Sequence, residues 1–215
     1  MKILIYVEGP SDKLAMQALL HPLLEQKRLQ GKHVTFIPAE GKDRLLASFP
    51  LKAADFIATG WQHHAVILPD LYPKNKGIRH DDLQELTAGL RLQVERRLRT
   101  KQLSDTEVAA HLGRFHVHIF RHDLEVLLLA AEMQLLAHLK CTNFPATVLW
   151  NREAVEQQNN SRPPKYVVEE LFQSCGLKYR DTTDAALILG SCHYEVLADK
   201  CPVSFKPLVD FLKSL

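Results

Sequence analysis

The stretch KILIYVEGPSD, residues 2–12, decides the fold of this chain. Residues 2–7 are a nearly continuous run of β-branched, aliphatic and aromatic side chains, which is typical of a strand buried in a parallel sheet. Ser11 is a residue type that caps helices, so a helix is expected directly after the strand. Glu8 lies between the two elements. A carboxylate there is either solvated or part of a site to which other segments contribute.

The same order of strand and helix repeats along the first two thirds of the chain. A second strand, HVTFIP, precedes a helical stretch from residue 41 to about 57, which Pro50 is expected to interrupt or kink. The runs HAVILPD and RFHVHIF predict a third and a fourth strand, each followed by a helix. The order βαβαβαβα predicts an α/β fold with a mainly parallel four-stranded sheet and helices on both faces.

The last third has a different character, because turn signals such as NNSRPPK separate short helical segments. None of these segments is long enough to form a hydrophobic core of its own. We therefore expect an α/β domain over residues 1–139 and a helical C-terminal extension, residues 140–215, packed on the same domain. The helical segments are expected at residues 165–172, 183–189, 193–200 and 207–212.

Composition limits the classes of function. The chain has 215 residues, and its 46% hydrophobic and 24% charged residues are ordinary for a soluble globular protein. Its net charge of +2 means that nucleic-acid binding would have to come from a local patch. The four cysteines show no C-x-x-C spacing, and no secretory segment is evident, so we expect reduced thiols in the cytoplasm. No apolar run approaches the ~18 residues of a membrane span.

Acidic side chains follow three of the predicted strands. Glu8 follows the first strand and Asp70 the third, and Asp123 and Glu125 follow the fourth. Ligands of open parallel sheets bind at the carboxyl ends of the strands, so these carboxylates are expected to converge. Clustered carboxylates repel unless a cation neutralises them, and their oxygens suit Mg²⁺ or Mn²⁺. A structural alternative stays open, in which Asp123 is the N-cap of the following helix and Glu125 is an acidic residue in its first turn, where it interacts favourably with the helix dipole.

These motifs resemble a known domain. VEGPSD, VILPDLY and HDLE resemble the Toprim domain of topoisomerases, primases and OLD-type nucleases. The chain also resembles a family of small bacterial Toprim-like proteins of unknown function, often encoded beside an ABC-type ATPase. EGKDRLL, LEVLLLA, RPPK and CPVSFKPLVDFL match that family's segments, and the resemblance covers nearly the whole chain. One departure concerns the usual D-x-D after the third strand, where Tyr72 replaces the second aspartate.

The resemblance implies a Mg²⁺- or Mn²⁺-dependent nuclease that acts with an AAA/ABC-type ATPase partner in defence against phage or other foreign DNA. Glu8 would be a general base or metal ligand, and Asp70, Asp123 and Glu125 would be metal ligands. Lys165, in RPPK, matches the lysine of the family's turn and would stabilise charge on the transferred phosphate. DNA is favoured over RNA as the substrate, and a homodimer is an open alternative.

Other cations are candidates for substrate phosphates, namely Lys42, Arg44, Lys74 and Lys76. The run RLQVERRLRTK adds a basic helix, which fits either a nucleic-acid backbone or a solvated helix face. Two other functions stay open. Tyr72 favours a catalytically silent Toprim scaffold that binds an ATPase, and the low net charge is compatible with a small-molecule phosphotransfer or nucleotide-binding enzyme.

Overall fold

The computed structural model shows one parallel sheet among the residues it describes, which are 1–74, 77–141, 148–158 and 161–215. Its strands are β1 (Lys2–Val7), β2 (His33–Pro38), β3 (His64–Leu68) and β4 (Phe115–Val117), in the order β2-β1-β3-β4. Val7 pairs with Pro38 on one side and with Leu68 on the other, so the carboxyl ends of β1, β2 and β3 lie at one edge. The predicted α/β class with a parallel four-stranded sheet is confirmed.

The described residues divide into two compact units. The first comprises residues 1–10 and 24–119 and contains the whole sheet, and the second comprises residues 11–23 and 120–215. The predicted boundary at residue 139 stays a prediction. The helices are α1 (Pro10–Leu29), α2 (Lys42–Ala58), α3 (Leu83–Arg99), α4 (Asp105–Leu112), α5 (Val126–Ala130), α6 (Glu132–Leu139), α7 (Pro164–Ser174), α8 (Ala186–Gly190), α9 (Tyr194–Lys200) and α10 (Lys206–Ser214).

The core of the first unit lies between the sheet and helices α2 and α3. On α3, four apolar residues at a spacing of four are fully buried, namely Leu86, Leu90, Val94 and Leu98. Tyr6 of β1 contacts Phe49 of α2 edge to face, with ring centroids 5.0 Å apart. Each fully buried large apolar side chain contributes about 1.5–3 kcal/mol, so this layer holds the strands in register.

One helix differs from what the sequence predicts, and another lacks the interruption that was one of the two outcomes expected at Pro50. Pro50 does not interrupt α2, which runs continuously from Lys42 to Ala58. Pro50 and Phe49 are both buried against the core, and this packing offsets the backbone hydrogen bond that proline removes. The long helix expected after β4 is divided into α5 and α6 at Ala131, whose backbone (φ −85°, ψ 41°) is not helical.

From residue 120 on, the second unit consists of short helices, and polar contacts join some of the segments between them. Glu156, in a 3₁₀ turn (Val155–Gln157), is 5% exposed and accepts hydrogen bonds from the backbone N–H of Val203 at 2.9 Å and of Ser204 at 2.7 Å. The Ser204 hydroxyl donates to the same carboxylate. A buried carboxylate with several donors therefore fixes the segment that leads into α10.

Helices occur at each of the predicted C-terminal segments, with ends within a few residues of those expected. The second expected segment is partly a π-helical turn, Asp181–Ala185, which continues into α8. Over the ranges that the structure describes, none of the helices has both the length and the apolar composition that crossing a bilayer requires.

Candidate functional site

Glu8 and Asp70 meet at the carboxyl ends of β1 and β3. The Asp70 backbone N–H donates to Glu8 Oε1 at 2.9 Å, which orients the glutamate side chain along this edge. The Glu8 carbonyl accepts a hydrogen bond from the Gly41 N–H at 2.8 Å and so holds the start of α2 at the same edge. Gly41 has φ 116°, which an L side chain adopts only with strain. The backbone of Asp70 thus contacts the Glu8 carboxylate, and a site shared by the two carboxylates stays a prediction.

Lys42 brings a positive charge to this pair. It is the first residue of α2, and its Nζ donates to the Pro73 carbonyl at 2.6 Å. Burial lowers the pKa of the Lys42 ammonium, while the charges of Glu8 and Asp70 act in the opposite direction. An ammonium within electrostatic range of both carboxylates therefore lies at this edge of the sheet.

The other predicted phosphate ligands lie in local ion pairs or outside the described residues. Arg44 pairs with Glu40, and Lys74 pairs with Asp81. Lys76 is outside the described residues. Tyr72, in place of the second aspartate of D-x-D, packs against the hydrophobic core of the first unit.

The basic helix α3 is largely occupied by contacts within the first unit. Arg97 binds the Asp55 carboxylate through two bonds of 3.0 Å, and Lys101 pairs with the same carboxylate at 2.7 Å. Arg99 pairs with two neighbouring carboxylates, and Arg91 donates to backbone carbonyls. Among the described residues this pattern favours a structural role for most of these charges.

In the second unit, Asp123 lies at the start of α7. Its Oδ2 accepts a hydrogen bond from the Lys165 backbone N–H at 3.2 Å, at the helix end where Pro163 supplies no side-chain cap. Asp123 therefore caps α7, whereas the sequence suggested the helix that directly follows it. Its other oxygen, Oδ1, is buried and has no hydrogen-bond partner among the described residues. A buried carboxylate oxygen of this kind can accept a cation or a proton.

Glu125 lies beside Asp123 and is 5% exposed. Its Oε1 accepts a hydrogen bond from the Tyr179 hydroxyl at 3.1 Å and lies 3.8 Å from Lys165 Nζ. The same ammonium is 3.3 Å from Asp181 Oδ2. Lys165 thus neutralises two acidic side chains, one buried and one half-buried.

Burial dominates the protonation of this group. It raises the pKa of Asp123 to about 7, with repulsion from Glu125 adding to the rise and the Lys165 contacts opposing it. Burial also raises the pKa of Glu125, against the opposing charge of Lys165. Burial alone would lower the pKa of Lys165, but Glu125 and Asp181 outweigh it and raise that pKa. Removing the lysine would leave a buried anion without its main counter-charge.

Tyr179 and Asp181 were not identified from the sequence. They lie two residues apart in a segment whose last residue before the π-helical turn, Arg180, is extended (φ −125°, ψ 97°). Side chains at i and i+2 of an extended segment point to the same side, so both can reach the Glu125–Lys165 pair. The i, i+2 spacing of Tyr179 and Asp181 is the signal that the sequence offers. This spacing is common, and it does not indicate which residue the two side chains contact.

The residues present suit a hard divalent ion by donor chemistry. Both acidic groups offer carboxylate oxygens, and Asp123 Oδ1 is buried without a partner. In the parts of the chain that the structure describes, no three His, Cys, Asp or Glu side chains form a ready metal-binding group. Each acidic pair would therefore have to be completed by water or by a substrate phosphate, as is usual for Mg²⁺.

The parallel sheet with acidic strand ends defines a Toprim-like α/β protein. The chain belongs to the family described as "Domain of unknown function (DUF4276)", which matches residues 7–213. It is similar to the C-terminal region of the Burkholderia pseudomallei OLD protein, with 17% identity, coverage of 99% of this chain and 96% of that chain, and a TM-score of 0.52.

A second similar structure is the C-terminal region of the Xanthomonas campestris pv. campestris OLD protein. It shows 15% identity over 98% of this chain and 96% of that chain, with a TM-score of 0.49. The Burkholderia likeness supports the fold assignment. No curated protein matches the chain.

Proposed function

We propose that the protein hydrolyses phosphodiester bonds in nucleic acid, with DNA favoured over RNA, in a reaction that depends on Mg²⁺ or Mn²⁺. Glu8 and Asp70 are the proposed metal ligands of the first unit, and Asp123 and Glu125 those of the second. The observation that carries the proposal is the contact between Glu8 Oε1 and the Asp70 N–H at adjacent strand ends. A nuclease-related scaffold is supported by the likeness to the OLD C-terminal region.

A bound divalent ion would supply a Lewis acid and lower the pKa of a bound water. Glu8, oriented by the Asp70 N–H, is the proposed acceptor of a proton from the attacking water. Lys42 adds positive charge beside these carboxylates and is the proposed contact for a substrate phosphate. Lys165 balances Glu125 and Asp181 and is the proposed stabiliser of charge on the transferred phosphate.

An ATPase partner and a role in defence against foreign DNA are also part of the proposal. Their support is the resemblance to Toprim-like proteins encoded beside ABC-type ATPases. An assay of the chain alone can therefore be inactive although the site is competent, and the partner has to be supplied before inactivity counts against the proposal.

A second candidate function is a catalytically silent scaffold that binds the ATPase. The observation that favours it is Tyr72, which takes the place of an acidic ligand and packs against the core. A ring held in this way cannot supply the carboxylate that D-x-D normally provides. The Tyr72→Asp variant separates the two functions, since it should strengthen a weakened metal site and should not change a scaffold.

The test measures cleavage of supercoiled plasmid and of single-stranded DNA and RNA in Mn²⁺, with and without the ATPase. Glu8→Gln should abolish cleavage, because an amide takes up no proton at neutral pH and binds hard cations poorly. Glu25→Gln is the matched control, since Glu25 is a partly exposed glutamate of the same unit that pairs with Arg28 on α1. Equal inactivity of wild type, Glu8→Gln and Tyr72→Asp, with the ATPase bound, would leave the scaffold as the function.

A further inference from the structure

Two of the four cysteines touch each other. The Sγ atoms of Cys141 and Cys175 are 2.6 Å apart, although 34 residues separate them in the chain. Both side chains are half-buried. The other two thiols have different surroundings: Cys192 Sγ donates to the Ile188 carbonyl at 3.2 Å, and Cys201 is fully buried. The pair therefore differs from the remaining cysteines in having a second sulfur within reach.

The backbone at the end of α7 holds Cys175 in place. Cys175 is the C-cap residue, and Gly176 follows in the left-handed conformation, with φ 71°. The Gly176 N–H donates to the Gln173 carbonyl, and the Leu177 N–H to the Phe172 carbonyl, each at 2.9 Å. These two bonds form a Schellman motif, which fixes the direction in which the helix ends.

The end of α6 holds Cys141 in a similar way. Lys140 is left-handed, with φ 54°, and the Cys141 N–H donates to the Leu136 carbonyl at 3.4 Å. A non-glycine residue in this conformation carries strain of order 1 kcal/mol, which the surrounding structure must compensate. Both sulfur atoms are thus carried on defined helix ends, and bonding them requires little backbone movement.

A cavity gives small polar molecules access to Cys175. Its volume is about 410 Å³, and its lining includes Cys175, Lys140, Lys178 and Arg180. A thiol has to be reached by its oxidant, so an accessible sulfur beside a second sulfur is the arrangement in which oxidation leads to a disulfide.

We propose that Cys141 and Cys175 form a modification site, at which hydrogen peroxide converts the two thiols into a disulfide that joins the C-terminal ends of α6 and α7. The Cys175 sulfur attacks a peroxide oxygen, which breaks the O–O bond, gives a sulfenic acid and releases one water. The Cys141 sulfur then displaces the hydroxyl group as a second water. The thiols lose two hydrogens and two electrons, and the peroxide is reduced.

Local chemistry is consistent with this order of events. The hydrogen bond to Cys175 raises the pKa of the Cys141 thiol, with burial as a smaller cause, which disfavours Cys141 as the first thiolate to attack the peroxide. Cys175 is the cysteine that lines the cavity. A small thiol such as dithiothreitol would reverse the reaction by disulfide exchange.

The disulfide would also act on the candidate site, in a way that rests on the proposed function. Helix α7 carries Lys165 at its other end, where the Lys165 N–H binds Asp123 and its ammonium lies near Glu125. Joining the end of α7 to α6 restricts the movement of the helix that positions these contacts. The disulfide is detected by mass, so its absence and a failure of the proposed function are separate results.

The experiment exposes the reduced full chain to hydrogen peroxide and measures its intact mass, its disulfide-linked peptides and its melting temperature. We expect a loss of two hydrogens, a peptide linking Cys141 to Cys175, and a rise in melting temperature of about 5–10 °C that dithiothreitol reverses. Cys192→Ser, the matched control, should retain all three changes.

Cys141→Ser and Cys175→Ala should each lose the linked peptide and the rise in melting temperature. Two variants are used so that a folding defect in one does not decide the result. The proposal is overturned if wild type keeps both thiols open to alkylation after peroxide, or if Cys175 gains oxygen atoms in place of the bond to Cys141. It is also overturned if Cys141→Ser shows the same rise as wild type.

Discussion

Replacing Asp123 by asparagine should stabilise the metal-free protein at about pH 8 and change its stability little at about pH 4.5. The structure raises the pKa of Asp123 from its ordinary 3.8 to about 7, because the side chain is buried beside Glu125. Folding therefore takes up a proton between these two values, and stability falls as the pH rises through this window. Above the pKa of Asp123 in the folded protein, its ionisation lowers the free energy of unfolding by the full amount.

The size of the effect follows from the two pKa values. At about 1.4 kcal/mol per pKa unit, the cost of ionised Asp123 is at most ~4 kcal/mol at about pH 8 and ~1 kcal/mol at about pH 4.5. Asparagine removes this cost but accepts a weaker hydrogen bond from the Lys165 N–H, a loss of about 1 kcal/mol. The net gain should be about 2–3 kcal/mol at the higher pH and near zero at the lower pH.

Urea unfolding of wild type and Asp123→Asn at the two pH values measures this difference. The control is Asp199→Asn, because Asp199 is an exposed aspartate that pairs with Lys206, and its removal should matter little at either pH. A gain of the same size at both pH values, or a loss of stability at about pH 8, would refute the inference that burial holds Asp123 in an unfavourable charge state.

Three further predictions concern the metal, the second unit and the end of α7. Mg²⁺ or Mn²⁺ should raise the melting temperature, and Asp70→Asn should clearly reduce that rise in thermal scans while leaving the metal-free protein at least as stable; an unchanged response would exclude Asp70 as a ligand. Glu156→Gln should lower the free energy of unfolding by about 2–3 kcal/mol in urea titrations, because one of the two acceptor oxygens becomes an amide nitrogen, which cannot accept the bond that Val203 donates, and the remaining oxygen carries no charge. Gly176→Ala should cost about 1–2 kcal/mol by the same measurement, and an unaffected variant would contradict the strain expected at φ 71°.

The part of the fold that follows from hydrophobic periodicity could be predicted from the sequence. The four strands and their parallel arrangement follow from apolar runs that alternate with helical patterns. The meeting of Glu8 and Asp70 follows from a general rule about strand ends, and it needs no knowledge of side-chain packing. The continuity of α2 through Pro50 could not be predicted, because it depends on burial against the core.

The site in the second unit could be predicted only in part. Asp123, Glu125 and Lys165 were identified through motifs, but their contacts depend on how short helices pack. The bond from Tyr179 to Glu125 joins residues 54 positions apart, and neither periodicity nor composition specifies such a pairing. The contact between Cys141 and Cys175 depends in the same way on two helix ends that no sequence pattern brings together.

The sheet order β2-β1-β3-β4 has a kinetic consequence. Each of its three strand pairs is parallel, so each pairing requires the chain to close a long crossover before any ladder hydrogen bond forms. The largest separation is between β1, which ends at Val7, and its partner β3, which begins at His64. Non-local topologies of this kind pass a high entropic barrier, and their folding takes roughly milliseconds to seconds. Until β4 docks, β3 exposes an unpaired edge, and that interval is when the nascent chain is most open to association with other chains.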